Sequence, residues 1–324
     1  MRVAGAGLLA AAIAMMLSAA VAVVDGGGGA KGLTVSALLT GLVGLALFFG
    51  SQVSPTADSA LAFASVAWSW LAVSLAGSLP FVLTGVIPWG QFDNALFESI
   101  SGFTCSGSTI LSNFESVPQG VLFYRSLTQW LGGMGLVVLA VAVLPALGIG
   151  GLDLIASEAP GPTADRLTLR VRDTARQLWL LYGVMTGIVA LVLLTIGMSI
   201  FDAVTHAFTT VSTGGFSPHA ESIAYFDSFP IELVLMVGML FSGASFSIHW
   251  HALRQGIGAY RRVSEVRWYL TLICCAFGML VWVNLGELGW LQNLRESLFY
   301  AVSLGSNTGF GNSDFVLWLS LIHI

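Results

Sequence analysis

The chain has 324 residues, of which 56% are hydrophobic and 9% charged, with a formal net charge of −5 at neutral pH. A soluble domain carries about 25% charged residues, so this composition excludes a water-solvated globular protein and makes lipid the solvent for much of the chain. Twelve basic residues against seventeen acidic ones leave no basic field for nucleic acid, and Cys105, Cys274 and Cys275 form neither a zinc spacing nor a disulfide framework.

Roughly 20 apolar residues are needed for a helix to cross the hydrocarbon core. The first such run, 3–24, follows a single arginine. It is longer than the apolar core of a signal peptide and reads as a transmembrane helix. Further spans are expected at 33–50, 59–85, 119–148, 177–200, 230–253 and 268–286. Three shorter runs, 94–104, 201–211 and 294–304, each follow one span and precede the next, and each ends in small, hydroxyl and glycine residues. A short helix running into irregular backbone is tolerated at membrane depth only when buried in protein or lining a water-filled cavity. These three are therefore expected to be re-entrant pore helices.

Arg166, Arg170, Arg172 and Arg176 mark one loop as cytoplasmic, and Arg254, Arg261, Arg262 and Arg267 mark another. The opposite side carries Asp93, Glu115, Asp202, Glu221, Asp227 and Glu287. Acidic residues near a mouth favour cation entry weakly, with salt screening.

The three short runs share a pattern. With Gly107, Gly214 and Gly309 as anchors, the preceding residue is a hydroxyl (Ser106, Thr213, Thr308) and the one before it is small or polar (Cys105, Ser212, Asn307). A dehydrated cation needs oxygens to replace its water, and backbone carbonyls supply them when the chain turns inward. Glycine permits dihedrals that other residues resist. No charged side chain lies between Thr104 and Thr109, Val211 and Phe216, or Ser306 and Gly311, so a carbonyl-lined filter suits these loops better than a carboxylate ring. The C-terminal ends of the short helices would favour cations too.

At these residues the sequence resembles the Trk/Ktr/HKT superfamily of potassium transporters. Phe97 to Thr109 is similar to the family's first pore loop, with Thr104-Cys105-Ser106-Gly107-Ser108-Thr109 where Thr-Thr-Thr-Gly-Ala-Thr is usual. Arg125 to Gly135, continuing to Leu144-Pro145, is similar to the helix that follows that loop, and Glu158 to Pro162 also resembles the family. Ser212 to Phe216 and Asn307 to Phe310 are similar to the second and third pore loops.

The resemblance implies an all-α polytopic membrane protein of membrane–pore-loop–membrane repeats, potassium-channel-like, after two extra N-terminal helices. Residues 1–51 would be those helices. Repeat one would be 52–150 with pore loop 94–109, and repeat two 165–255 with pore loop 201–216. Repeat three would be 265–324 with pore loop 294–311, incomplete, with a fourth repeat and a glycine-rich gate loop lying outside the chain. The chain would then be a truncated form of the membrane subunit.

The resemblance also implies potassium uptake in a bacterial inner membrane, a cytoplasmic nucleotide-binding regulatory subunit and a homodimer. The metal ion would be potassium, held through the carbonyls of Cys105, Ser106, Ser212, Thr213, Asn307 and Thr308, with Gly107, Gly214 and Gly309 as filter glycines. No other cofactor and no enzymatic activity are expected.

Other readings remain at this stage. Arg125 could pair with Glu98 or Glu115 to support the first pore loop, or reach the interface. A secondary transporter with broken helices around a midplane site is one alternative function. An intramembrane serine protease, with Ser106 or Ser108 near His206 or His249, is another.

Overall fold

The computed structural model describes residues 1–26, 28–51, 59–142, 163–285 and 288–313. These are helical apart from loops and an isolated bridge between Leu285 and Leu288. Five helical stretches among them are long and apolar enough to cross a membrane, and a bent helix pair makes a sixth when it is counted as one span. The chain divides into two compact units. Met1–Thr104, Ser108–Ile110 and Ser116–Leu180 form the first; Cys105–Gly107, Leu111–Glu115 and Leu181–Ile324 form the second.

In the first unit, α1 (Arg2–Val24) and α2 (Ala30–Gly50) pack closely through small residues. A Cβ on Gly5 would stand 2.6 Å from the Phe48 backbone nitrogen, and one on Gly44 would stand 3.2 Å from the Gly5 carbonyl oxygen. Lipid offers no hydrophobic drive for helix association, so close backbone approach supplies the attraction as dispersion. Ser18 and Ser36 enter this unit's interior with their hydroxyls bonded to carbonyls four residues back.

The expected 59–85 span is two helices, α3 (Ser59–Gly77) and α4 (Leu79–Leu83), divided at Ser78. Pro80, which brings no N–H to the ladder, sits in the first turn of α4, where none is needed. The short α5 (Phe92–Phe103) follows. A Cβ on Gly77 would lie 2.5 Å from both the Phe103 ring and the Ser99 hydroxyl, and Ser99 donates to the Ser74 carbonyl at 2.8 Å. Glycine therefore lets α5 lie against α3. On α6 (Gln119–Ala142), a Cβ on Gly132 would overlap the Phe103 carbonyl oxygen. These two contacts hold the C-terminal end of α5 on both sides.

The first basic cluster is helical rather than a loop, because α7 runs unbroken from Thr163 to Thr195 and carries Arg166, Arg170, Arg172 and Arg176. In the second unit the short α8 (Ile200–Val211) is followed by α9 (Phe229–Ser242) and α10 (Phe246–Gln255). A continuous span over 230–253 was expected; instead α9 and α10 meet at 92°. The break falls at Gly243-Ala244-Ser245, in keeping with kinks at Gly/Ser positions. A Cβ on Gly243 would come within 3.1 Å of the Ser306 Cα, so the bend lets the chain approach the third loop. A short α11 (Gly258–Arg262), the span α12 (Ser264–Val283) and the pore-type helix α13 (Trp290–Gly305) complete the unit. The family-like segment Glu158–Pro162, the helix end at Leu144-Pro145, the acidic Glu287 and the stretch 314–324 lie outside the described residues.

Candidate functional site

α5, α8 and α13 end alike. Their capping residues Thr104, Ser212 and Ser306 have φ/ψ of −87/0°, −79/−5° and −89/−2°. The next residue is left-handed in every case: Cys105 at φ 55°, Thr213 at 52° and Asn307 at 63°. Two residues further on, Gly107, Gly215 and Gly309 have φ of 74°, 75° and 84°. Left-handed conformations are uncommon outside glycine, yet this alternation recurs in all three loops.

The backbone corrects one expectation. The residue equivalent to Gly107 and Gly309 is Gly215, not Gly214. The N–H groups of Gly214 and Gly215 both donate to the Thr209 carbonyl, at 2.8 and 3.4 Å. Those of Thr308 and Gly309 donate to the Ser303 carbonyl in the same way, at 2.9 and 3.2 Å. Ser212 is thus a helix cap, its hydroxyl turned back to the Thr209 carbonyl. The second loop presents Thr213 and Gly214 where the others present Cys105 and Ser106, or Asn307 and Thr308. Adjacent glycines allow two registers in sequence, and the end of α8 selects one. Phe216 and Phe310, each buried directly after its glycine, are the signal that distinguishes them.

Within the second unit these loops converge through their backbones. A Cβ on Gly107 would stand 2.6 Å from the Gly214 carbonyl oxygen and 3.8 Å from that of Thr308. A Cβ on Gly215 would overlap the Thr308 carbonyl oxygen. Gly214 and Thr308 are equivalent positions, so equivalent carbonyls gather at the glycine edges of neighbouring loops. Any side chain at Gly107 or Gly215 would occupy that space. Among the described residues no cluster of three or more His, Cys, Asp or Glu side chains could hold a metal ion. The oxygens available at these loops come from uncharged backbone, hydroxyl and amide groups, which suit a dehydrated alkali cation. The partial negative ends of α8 and α13 run into the same loops and add to the preference for positive charge.

Each loop is also tied to its own helix through side chains. In the first, Glu98 is fully buried and accepts from Arg125 Nε at 2.7 Å, from the Thr109 hydroxyl at 2.9 Å and from the Ile110 N–H at 3.2 Å. Arg125 also reaches the Thr109 hydroxyl at 3.1 Å. Sequence reasoning left Arg125 with two carboxylates or the interface as partners; the fold pairs it with Glu98. In the third loop, Tyr300 donates to the Ser313 carbonyl and Ser303 donates to the Phe310 carbonyl.

In the second loop, His206 Nδ1 lies 2.8 Å from the Asp202 carbonyl and Nε2 lies 3.1 Å from the Ser217 hydroxyl. The carbonyl only accepts, so Nδ1 carries the proton and Ser217 donates to Nε2. His219 Nε2 meets the Asp202 carboxylate at 2.8 Å and its ring stacks on Tyr225 at 3.7 Å. The serine within reach of His206 is the buried Ser217 rather than Ser106 or Ser108, and His249 bonds to Tyr260 and the Phe241 carbonyl. Both ring nitrogens of His206 and of His249 are taken by these partners, so neither histidine bonds to Ser106 or Ser108, the serines the protease reading names.

The residues missed from sequence are Thr109, Ser217 and the hydroxyls six before each glycine, Ser101, Thr209 and Ser303. Only the corrected register brings those last three into line.

Apolar helices of spanning length, alternating with short helices that run into glycine loops, define a multi-pass membrane protein of the pore-loop class. A family model described as a cation transport protein, TrkH, matches residues 34–285, and the chain belongs to that family. It is 42% identical over 261 residues to the Trk system potassium uptake protein TrkH of Halomonas elongata, covering 79% of this chain and 54% of that protein. It is 37% identical over 264 residues to the TrkH of Escherichia coli K12, again covering 79% and 54%. The crystal structure of the potassium transporter TrkH from Vibrio parahaemolyticus superposes with a TM-score of 0.84 at 30% identity, covering 98% of this chain and 67% of that one. The chain spans about half the length of the curated relatives it matches.

Proposed function

We propose that this chain forms part of a potassium uptake pathway, as a membrane subunit of a Trk-type system in a bacterial inner membrane. One observation carries the reading: the carbonyl oxygens of Gly214 and Thr308 gather where a Cβ on Gly107 would stand. Such a gathering of acceptors, with no charged side chain among them, can replace the water of a potassium ion. The ion-facing residues are Cys105 and Ser106, Thr213 and Gly214, and Asn307 and Thr308. Gly107, Gly215 and Gly309 permit the geometry, and Glu98 with Arg125 supports the first loop. The chain is organised as two N-terminal helices followed by pore-loop repeats at 52–150, 165–255 and from 265. A cytoplasmic nucleotide-binding subunit and a second copy of the membrane subunit are its partners, as the family resemblance implies.

The test is potassium-dependent growth of a bacterial strain lacking its own uptake systems. This chain is compared with a form completed by the additional sequence its relatives carry. Rescue at low potassium by either form supports the reading. Failure of both, with each present in the membrane, refutes it.

A further inference from the structure

The hydroxyl residues six before each glycine behave differently in the three loops. Ser303, fully buried, donates to the carbonyl of Phe310 at 2.7 Å, and Ser101 donates to the carbonyl of Ser108. Ser108 and Phe310 are the residues directly after Gly107 and Gly309. Thr209 occupies the same position in the second loop, but its hydroxyl turns back along α8 to the carbonyls of Thr205 and His206, at 3.2 and 3.3 Å.

We infer that Ser101 and Ser303 are positioning residues for ion selectivity, which end the ladder of coordinating carbonyls at Gly107 and Gly309 by holding the next carbonyl against the pore helix. This rests on the proposed ion path. A carbonyl that accepts a hydrogen bond from its own helix has its lone pairs directed there and is a weaker cation ligand. Freed from the serine, the Ser108 or Phe310 carbonyl can swing and add an oxygen at the end of the ladder. Discrimination between potassium and sodium depends on how many oxygens a site offers and how freely they move. The serines control both at two of the three loops. A single site performs two fixings in the third repeat, since the Ser303 carbonyl also takes the N–H groups of Thr308 and Gly309.

The experiment measures potassium-to-sodium and potassium-to-rubidium flux ratios of the intact protein in lipid vesicles. Ser101→Ala and Ser303→Ala are expected to lower the potassium-to-sodium ratio by about three- to tenfold each, the equivalent of one hydrogen bond. Ser303→Thr, which keeps the hydroxyl, is expected to restore it. Thr209→Ala is expected to change the ratio less than either serine variant. A structural role alone would reduce total flux and leave the ratios untouched, so an unchanged ratio in both serine variants overturns the inference. Should Ser303→Ala not reach the membrane, Ser303→Cys keeps the shape with a weaker donor and must shift the ratio in the same direction; no shift there overturns the inference equally. Absence of potassium-selective flux in the unaltered protein is a separate result, and it refutes the ion path itself.

Discussion

Gly215 and Gly309 are conformational equivalents: their φ angles are 75° and 84°, and each donates its N–H to the carbonyl of a hydroxyl residue six positions earlier. Gly214 lies outside the left-handed region. Alanine at Gly215 would have to hold a left-handed conformation, at about 1–2 kcal/mol, and its Cβ would overlap the Thr308 carbonyl oxygen. Gly215→Ala is therefore expected to abolish potassium uptake or selectivity, with Gly214→Ala milder. Ion flux in vesicles decides the matter, and equal tolerance of the two would remove the corrected register.

The pairing of Glu98 with Arg125 predicts a large loss of stability when it is broken. Both side chains are buried and each satisfies the other's charge. Arg125→Ala leaves an uncompensated carboxylate, a situation that costs about 3–5 kcal/mol in protein interiors. Thermal unfolding in detergent should show a markedly lower midpoint for Arg125→Ala. Replacing both by apolar residues, as in Glu98→Leu with Arg125→Met, should recover part of the loss. A midpoint for Arg125→Ala equal to that of the unaltered protein would contradict the structural role.

His206 braces the second loop by two hydrogen bonds: its fully buried ring donates from Nδ1 to the Asp202 carbonyl and accepts at Nε2 from the Ser217 hydroxyl. His206→Leu removes both, at about 0.5–1.5 kcal/mol each. Thermal unfolding in detergent is expected to show a lower midpoint for His206→Leu, with His206→Asn, which keeps a donor and an acceptor, closer to the unaltered protein. Equal midpoints for all three would show that the ring is no brace.

Close helix contact at Gly5 predicts intolerance of bulk. Gly5→Leu places a side chain where the Phe48 backbone now lies, and overpacking of this kind costs about 1–3 kcal/mol. Faster proteolysis of the α1–α2 hairpin in membranes is the expected readout. An unchanged cleavage rate would show that the two helices can separate without penalty.

Much of this was legible in the residues. Lengths of apolar sequence place the spans because a bilayer has a set thickness. The three short helices were legible for the same reason: each is too short to cross, and each ends in residues that irregular backbone requires. Other features were not, the division of the 59–85 run at Ser78 and the helical first basic cluster among them. The division of one expected span into α9 and α10 depends on a local break at Gly243, and no hydropathy pattern marks a turn of the helix axis. The register of the second loop was hidden by adjacent glycines, either of which satisfies the local pattern.

By itself, then, the sequence determined that the chain lives in lipid, that apolar runs of spanning length alternate with shorter ones, and which loops carry glycine and hydroxyl groups in place of charge. These follow from composition and local spacing, which act on a few neighbouring residues at a time. Tertiary structure decided the rest: that Arg125 pairs with Glu98, that Gly215 stands with Gly107 and Gly309, and that Ser303 but not Thr209 ties the carbonyl after its glycine. A buried charge takes whichever partner the packing brings near, and a backbone oxygen points wherever the helix end and its hydrogen bonds turn it. Both depend on segments distant in sequence.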